Sequence, residues 1–166
     1  MILFSINKKK AFTLIELLIA VSVMMVLMLI GIGSYNTYDN RNTLNLSGES
    51  LVGFVNDARA IAKGRTLDVG TANKESEDKL ILRWVESDRN FICRWFIGGN
   101  ELTENYTSYH LSDGVVVTSA PEVEFSAGSG DLLANKTIKI TSSGNNDDYI
   151  EIKVTNDSTT TTKSFE

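Results

Sequence analysis

The chain has 166 residues, a formal net charge of −5 and one cysteine. This length allows a single modest folded domain behind an N-terminal segment, and one cysteine excludes an intrachain disulfide. Residues 1–11 contain three lysines and no acidic residue, so the remainder is more acidic than the whole chain, which disfavours broad binding to a nucleic-acid backbone. The cysteine, Cys93, lies in an apolar run and is predicted to be a buried core residue rather than a reactive thiol.

Residues 1–11 form a short basic leader, because Lys8 to Lys10 stand immediately before a long apolar run. That run, Phe12 to Ile32, has 21 residues. As a helix it would be about 30 Å long, enough to cross the core of a bilayer, so a transmembrane helical segment is predicted at 12–33. The lysines predict that the leader stays in the cytoplasm and that the rest of the chain lies outside. The alternative is a secretory signal peptide cleaved near 31–34. The apolar run is longer than the core of a usual signal peptide, which has about 7–15 residues.

A single carboxylate, Glu16, lies inside the apolar run, near its start. A charged side chain at this depth in a bilayer costs roughly 2.5 kcal/mol or more on insertion scales, so Glu16 calls for a partner. The alternative is a tolerated charge near a helix end, which reaches back to the membrane interface.

The six residues from Ala11 to Glu16 have the sequence Ala-Phe-Thr-Leu-Ile-Glu. With the basic leader before them and the apolar helix after them, they resemble the processing motif of type IV pilins and of the pseudopilins of type II secretion. The resemblance implies that a prepilin peptidase cuts between Ala11 and Phe12 and methylates the new amine of Phe12. The chain departs from the family pattern at Ala11, where glycine is usual.

The same resemblance implies a structural role in a type IV pilus-like or type II secretion filament. The freed amine of Phe12, in the same chain or in a neighbouring subunit, would compensate Glu16 and set the register of helix packing. The implied partners are the peptidase, other pilin or pseudopilin subunits, the cytoplasmic (inner) membrane and its assembly platform. The implied localisation is a single pass through that membrane, followed by incorporation into the filament.

Residues 34–64 are predicted to continue the helix as an amphipathic half, ending near Gly64. Gly31 and Gly33 at the junction lower helix propensity and suggest a bend or local melting there. One face of the amphipathic half repeats at helical spacing. Its apolar residues are Leu44, Leu51, Val55, Ala58 and Ala62.

Residues 65–166 are predicted to form a β-rich domain, because apolar and polar residues now alternate. The expected fold is therefore α+β, with a long N-terminal helix packed on an antiparallel sheet, and the resemblance implies that it is pilin-like. The tail, 156–166, is either disordered or a last edge strand, since threonine favours strands. Strands are predicted at 80–85, 91–96, 115–118, 122–125, 137–141 and 149–154, with a further one at 65–71.

A second, shorter resemblance involves residues 57–65, 122–128 and 137–141, which are similar to segments of the pseudopilin H and FimT-type minor pilins. FimT-type pilins are linked to DNA capture, so a DNA-binding minor pilin is the alternative function. Tryptophans and arginines on neighbouring strands, Trp84 and Trp95 with Arg83 and Arg94, suit either a stacking surface for nucleic acid or a hairpin core.

No catalytic residue, cofactor or metal site is predicted. The chain has one histidine, His110, which excludes metal sites that need two histidine ligands, and no Gly-x-Ser-x-Gly turn or phosphate loop is present. The protein is therefore not expected to be an enzyme. Residues 145–148, Asn-Asn-Asp-Asp, form either an ordinary turn or a group of oxygen ligands suited to calcium.

Overall fold

A computed structural model of the chain describes residues 13–64, 78–102, 107–145 and 147–165. These residues form one helix and nine strands. The helix, α1, runs Leu14–Gly64. The chain divides into two compact units, residues 1–38 and residues 39–166, and α1 contributes to both. The predicted α+β class, with a long N-terminal apolar helix and antiparallel β-structure, is confirmed.

The strands form two antiparallel sheets, whereas the sequence predicted one. The first contains β1 (Lys79–Val85), β2 (Asn90–Ile97), β3 (Asn100–Glu101), β4 (Thr107–His110) and β6 (Val123–Ser126); its order is β3-β2-β1-β6, and β4 also pairs with β2. The second contains β5 (Val115–Ser119), β7 (Lys136–Ser142), β8 (Tyr149–Val154) and β9 (Thr159–Ser164), in the order β5-β7-β8-β9. The short segment around Pro121 carries the chain from one sheet to the other.

The hairpin predicted from two apolar runs is formed by β1 and β2, with Leu82 opposite Cys93. The other described predicted strands match β5 to β8 to within one residue at each end. Of the two alternatives for the tail, the structure has the edge strand, because β9 pairs with β8 along its whole length. The strand predicted at 65–71 lies outside the described residues.

The core of residues 39–166 lies between the second half of α1 and the inner faces of both sheets. The predicted helical stripe is confirmed, since each of its residues is at most 1% exposed. Alternate strand residues complete this core, as expected for sheets with one buried face. They include Leu80, Leu82, Phe91, Cys93, Val123, Phe125, Ile138, Ile140, Ile150 and Ile152.

Helix α1 continues through Gly31 and Gly33 without a break, so the suggested melting at these glycines is wrong for this structure. The loss of helix propensity, about 1 kcal/mol per glycine, is small compared with a continuous ladder of backbone hydrogen bonds. Two side chains add bonds to the same turns, from Ser34 Oγ to the Ile30 carbonyl at 3.4 Å and from Thr37 Oγ1 to the Gly33 carbonyl at 3.2 Å.

The last turn of α1 is completed by the loop that follows β6. The Gly128 N–H donates to the Ala62 carbonyl at 2.8 Å, which satisfies an acceptor left open at a helix end. Gly130 in the same loop has φ +69°, and a Cβ there would collide with the side chain of Lys63 and lie 3.0 Å from the Arg59 carbonyl oxygen. Only glycine fits this approach.

Replacing Gly130 by alanine is therefore expected to destabilise the protein by roughly 1–3 kcal/mol, through backbone strain and the collision with α1. Gly99→Ala is the matched control, because Gly99 also has positive φ (+83°) but no described residue comes within 4 Å of the added Cβ. Urea unfolding followed by tryptophan fluorescence measures both variants. Equal losses for the two would show that the contact with α1 contributes nothing.

Candidate assembly site at the start of the helix

The helix begins with a reciprocal pair of contacts between Thr13 and Glu16. The Thr13 N–H and hydroxyl both donate to Glu16 Oε2, each at 2.9 Å, and the Glu16 N–H donates to Thr13 Oγ1 at 3.3 Å. This is a capping box, in which the residue before the helix and its third residue satisfy each other's backbone donors. A negative charge in the first turn also suits the positive end of the helix dipole.

The sequence carries the signal for this arrangement, a Thr-x-x-Glu pattern directly before an apolar run. The cost of inserting Glu16 into a bilayer does not by itself reveal this capping box. The cap gives the carboxylate two neutral donors, and no described cation forms an ion pair with it. Because both donors are neutral, the cap does not compensate a charge on Glu16, so the capping box and a charge-pairing role are compatible.

The first half of α1 is apolar and is not covered by the described part of the protein. Its large apolar side chains are exposed, from 44% at Val21 to 83% at Leu14. By length and composition, α1 is apolar enough to cross a membrane. None of its most apolar window is buried inside the protein. A surface of this kind on a soluble monomer would aggregate, so it needs lipid or other helices around it.

The predicted cleavage and methylation positions, Ala11 and Phe12, lie outside the described residues. In the sequence, Phe12 is next to the capping residue Thr13 and four residues from Glu16.

A family described as the prokaryotic N-terminal methylation motif matches residues 6–32, which include both positions and the apolar half of α1. The chain is also 27% identical over 133 residues to Fimbrial protein Q of Moraxella bovis, an alignment that covers 80% of this chain and 75% of that protein. The chain is thus similar to pilins in its N-terminal motif. No solved structure matches it.

The aromatic and basic residues of the β1–β2 hairpin do not form the stacking surface that nucleic-acid binding would need. Trp84 and Trp95 pack against the core, and the Trp84 ring centroid lies 4.8 Å from that of Phe91. Arg83 and Arg94 occupy the next positions and therefore point to the opposite face of the sheet. Of the two predictions for this hairpin, the structure has the core.

The two arginines of the pilin-like chain are held by carboxylates on that outer face. Glu101 lies 3.0 Å from Arg83 and 2.8 Å from Arg94, and Glu122 lies 3.8 Å from Arg83. The hydrogen bond from Arg94, together with the charge of Arg83, lowers the pKa of Glu101 below its ordinary value. On the outer face these arginines therefore belong to a network of ion pairs rather than to a basic patch.

The acidic segment at 145–148 also has a structural use. The carboxylate of the buried residue Asp148 accepts hydrogen bonds from Arg41 Nε at 2.9 Å and from Arg41 Nη2 at 3.2 Å. The Asp147 N–H donates to Asn145 Oδ1 at 3.2 Å, which is an ordinary turn contact. Among the described residues no group of three His, Cys, Asp or Glu side chains is placed to hold a metal ion.

The remaining residues singled out in the sequence have simple surroundings. His110 is exposed, and its Nδ1 lies 2.8 Å from Asn90 Oδ1. Cys93 is buried in the core, where desolvation raises the pKa of its thiol to about 12.

The native protein is therefore expected to resist thiol alkylation. A pKa of about 12 in place of the model-peptide value lowers the thiolate fraction at pH 8 roughly 1,000-fold, and burial blocks access as well. Labelling with iodoacetamide across a urea series should follow the unfolding curve measured by tryptophan fluorescence. Rapid labelling without urea would contradict the buried position.

Proposed function

We propose that this pilin-like chain is a structural subunit, a minor pilin or pseudopilin, of a type IV pilus-like or type II secretion filament. Processing by a prepilin peptidase between Ala11 and Phe12, followed by methylation of Phe12, precedes assembly. The pseudopilin H and FimT-like group is the subgroup that we favour. The protein acts by packing helices and performs no catalysis.

The observation that carries this proposal is a single charged residue near the start of a helix whose first half is otherwise apolar and exposed. Glu16 is capped by Thr13 yet paired with no described cation, and it stands four residues from the amine that cleavage would create. In a bilayer or a helix bundle, that amine from a neighbouring subunit is the group best suited to compensate it. Docking of Glu16 on Phe12 of the next subunit would then set the helical register.

The membrane part of the proposal follows from the lysines and the apolar half of α1. The leader stays on the cytoplasmic side, the helix passes once through the inner membrane, and residues after Tyr38 fold outside. An assembly platform in that membrane then moves the subunit from lipid into the filament. Both environments cover the exposed side chains of α1.

Mass spectrometry of the mature protein from its own host tests the processing. We expect an N-terminus at Phe12 with one methyl group on its amine. A start near Ser34 would instead indicate a signal peptide and overturn the proposal. An intact leader at Met1 would show that Ala11 prevents processing, which also contradicts it.

A further inference from the structure

Strand β9 is the last strand of the second sheet, and one of its edges carries no partner strand among the described residues. At the β8–β9 turn, the Thr155 N–H donates to the Ser158 carbonyl at 2.9 Å, which fixes the pattern of backbone bonds along the hairpin. Because bonded and non-bonded pairs alternate in an antiparallel ladder, Thr159, Thr161 and Lys163 direct their N–H and C=O groups away from β8. These groups form an open row for another strand.

The side chains of the same residues border the second half of α1. Thr159 Oγ1 donates to Asn56 Oδ1 at 2.9 Å, and Lys163 Nζ lies 3.3 Å from Glu49 Oε1. Thr161, between them, is exposed. The open edge therefore runs beside the helix, in the opposite direction to it.

The other described edges are protected in ways that β9 is not. The register of β5 is irregular between Val117 and Ser119, and Arg89 donates to a backbone carbonyl of that strand. The edge of β6 is covered by a bridge to Leu132, and β3 and β4 are only two and four residues long. By contrast, β9 has six residues in unbroken register, and its lysine is drawn to Glu49.

Gly53 gives an independent indication that something approaches this edge. It lies on α1 between Glu49 and Asn56 at helical spacing, and no atom of the part of the chain that the structure describes is within 4 Å of the position a Cβ would take. A glycine inside a helix weakens it relative to alanine, and no contact with the described residues explains the choice. Close approach of a second backbone does explain it.

We propose that the β9 edge, with Gly53 beside it, receives an extended strand of a neighbouring pilin-like subunit and so extends the second sheet between subunits. This inference rests on the proposed function, which supplies such neighbours. Pairing of β9 with β9 of a second copy about a two-fold axis is disfavoured, because the two subunits would then point in opposite directions. Subunits that enter one filament from one membrane point in the same direction. Main-chain hydrogen bonds supply the attraction, and the polar threonines keep the edge soluble until the strand arrives.

Two substitutions in the full-length chain, expressed in its own host, test this edge. Gly53→Ala is expected to raise the melting temperature of the detergent-solubilised subunit by about 2–4 °C while lowering its recovery in sheared filaments at least about tenfold. Thr161→Pro removes one outward N–H without touching the β8 ladder and should lower recovery similarly, whereas Thr161→Ser keeps that N–H and should match the wild type. Gly53→Ala keeps the test valid even if the proline variant folds poorly.

A photo-crosslinking residue at position 161 identifies the occupant. An adduct to a strand of another protein that carries the methylation motif supports the inference, and an adduct to any other protein, to β9 of a second copy, or to nothing overturns it. Normal recovery of both Gly53→Ala and Thr161→Pro, with loss of Glu16→Gln from the same filaments, would refute the edge and leave the proposed function intact. Absence of the wild-type chain from filaments would instead refute the proposed function.

Discussion

Replacing Glu16 by glutamine is expected to remove the subunit from filaments while leaving its helix start intact. Glutamine can accept the same hydrogen bonds from Thr13, so the capping box survives. Only the negative charge is lost. A charge pair that offsets roughly 2.5 kcal/mol of insertion cost corresponds to roughly a 60-fold change in a docking equilibrium. Recovery in sheared filaments, relative to subunit in the membrane, measures the effect.

Thr13→Val is the matched control for this substitution, because it removes the capping hydroxyl and keeps the charge. It should weaken the helix start by about 1 kcal/mol and change filament recovery no more than about fivefold. Mass spectrometry of both variants must show the same mature N-terminus, so that processing is not the cause of any difference. The charge-pairing role is refuted if the glutamine variant assembles normally and the valine variant does not, since Glu16 would then act only as a cap.

Replacing Arg41 by methionine is expected to be the most destabilising change of a polar side chain in the folded unit. Arg41 is about one-third exposed, whereas the carboxylate that it holds on Asp148 is 2% exposed. The variant keeps most of the arginine stem but removes the guanidinium from a buried charge, which should lower the free energy of unfolding by about 3 kcal/mol. For a protein of this size that corresponds to a fall of roughly 6–12 °C in melting temperature.

Substitution of the other partner, Asp148→Asn, should lower the free energy of unfolding by only about 1–2 kcal/mol, because the partly exposed Arg41 can turn to water. Lys163→Met serves as a surface control, since its partner Glu49 is 67% exposed and such pairs contribute about 0–1 kcal/mol. Calorimetry of the three variants in the same detergent gives the comparison. A loss for Asp148→Asn that equals or exceeds that for Arg41→Met would contradict the asymmetry.

Much of the fold could be predicted because it depends on local periodicity. The buried stripe of α1 and the hairpin between β1 and β2 follow from repeats of about 3.6 and 2 residues within a few turns of sequence. The same period of two predicts that Trp84 and Arg83 face opposite sides, so the stacking surface could have been rejected from sequence. The capping box of Thr13 and Glu16 was equally local.

The rest depends on pairs that are far apart in sequence. Nothing near Arg41 indicates Asp148, which is 107 residues away. The division into two sheets depends on which strand each neighbour chooses, and those choices are made by packing against α1 rather than by propensity. The tail was undecided for the same reason, since four threonines favour a strand only when β8 is there to pair with them.

The contacts between α1 and the end of the chain also constrain the order in which the protein folds. Asn56 meets Thr159 and Glu49 meets Lys163, at separations of 103 and 114 residues. Such high contact order means that a large loop must close before these contacts form, which slows folding. During synthesis, the apolar stripe of α1 is made before the sheets that cover it, so the nascent domain stays open to aggregation and proteolysis until β9 has been made.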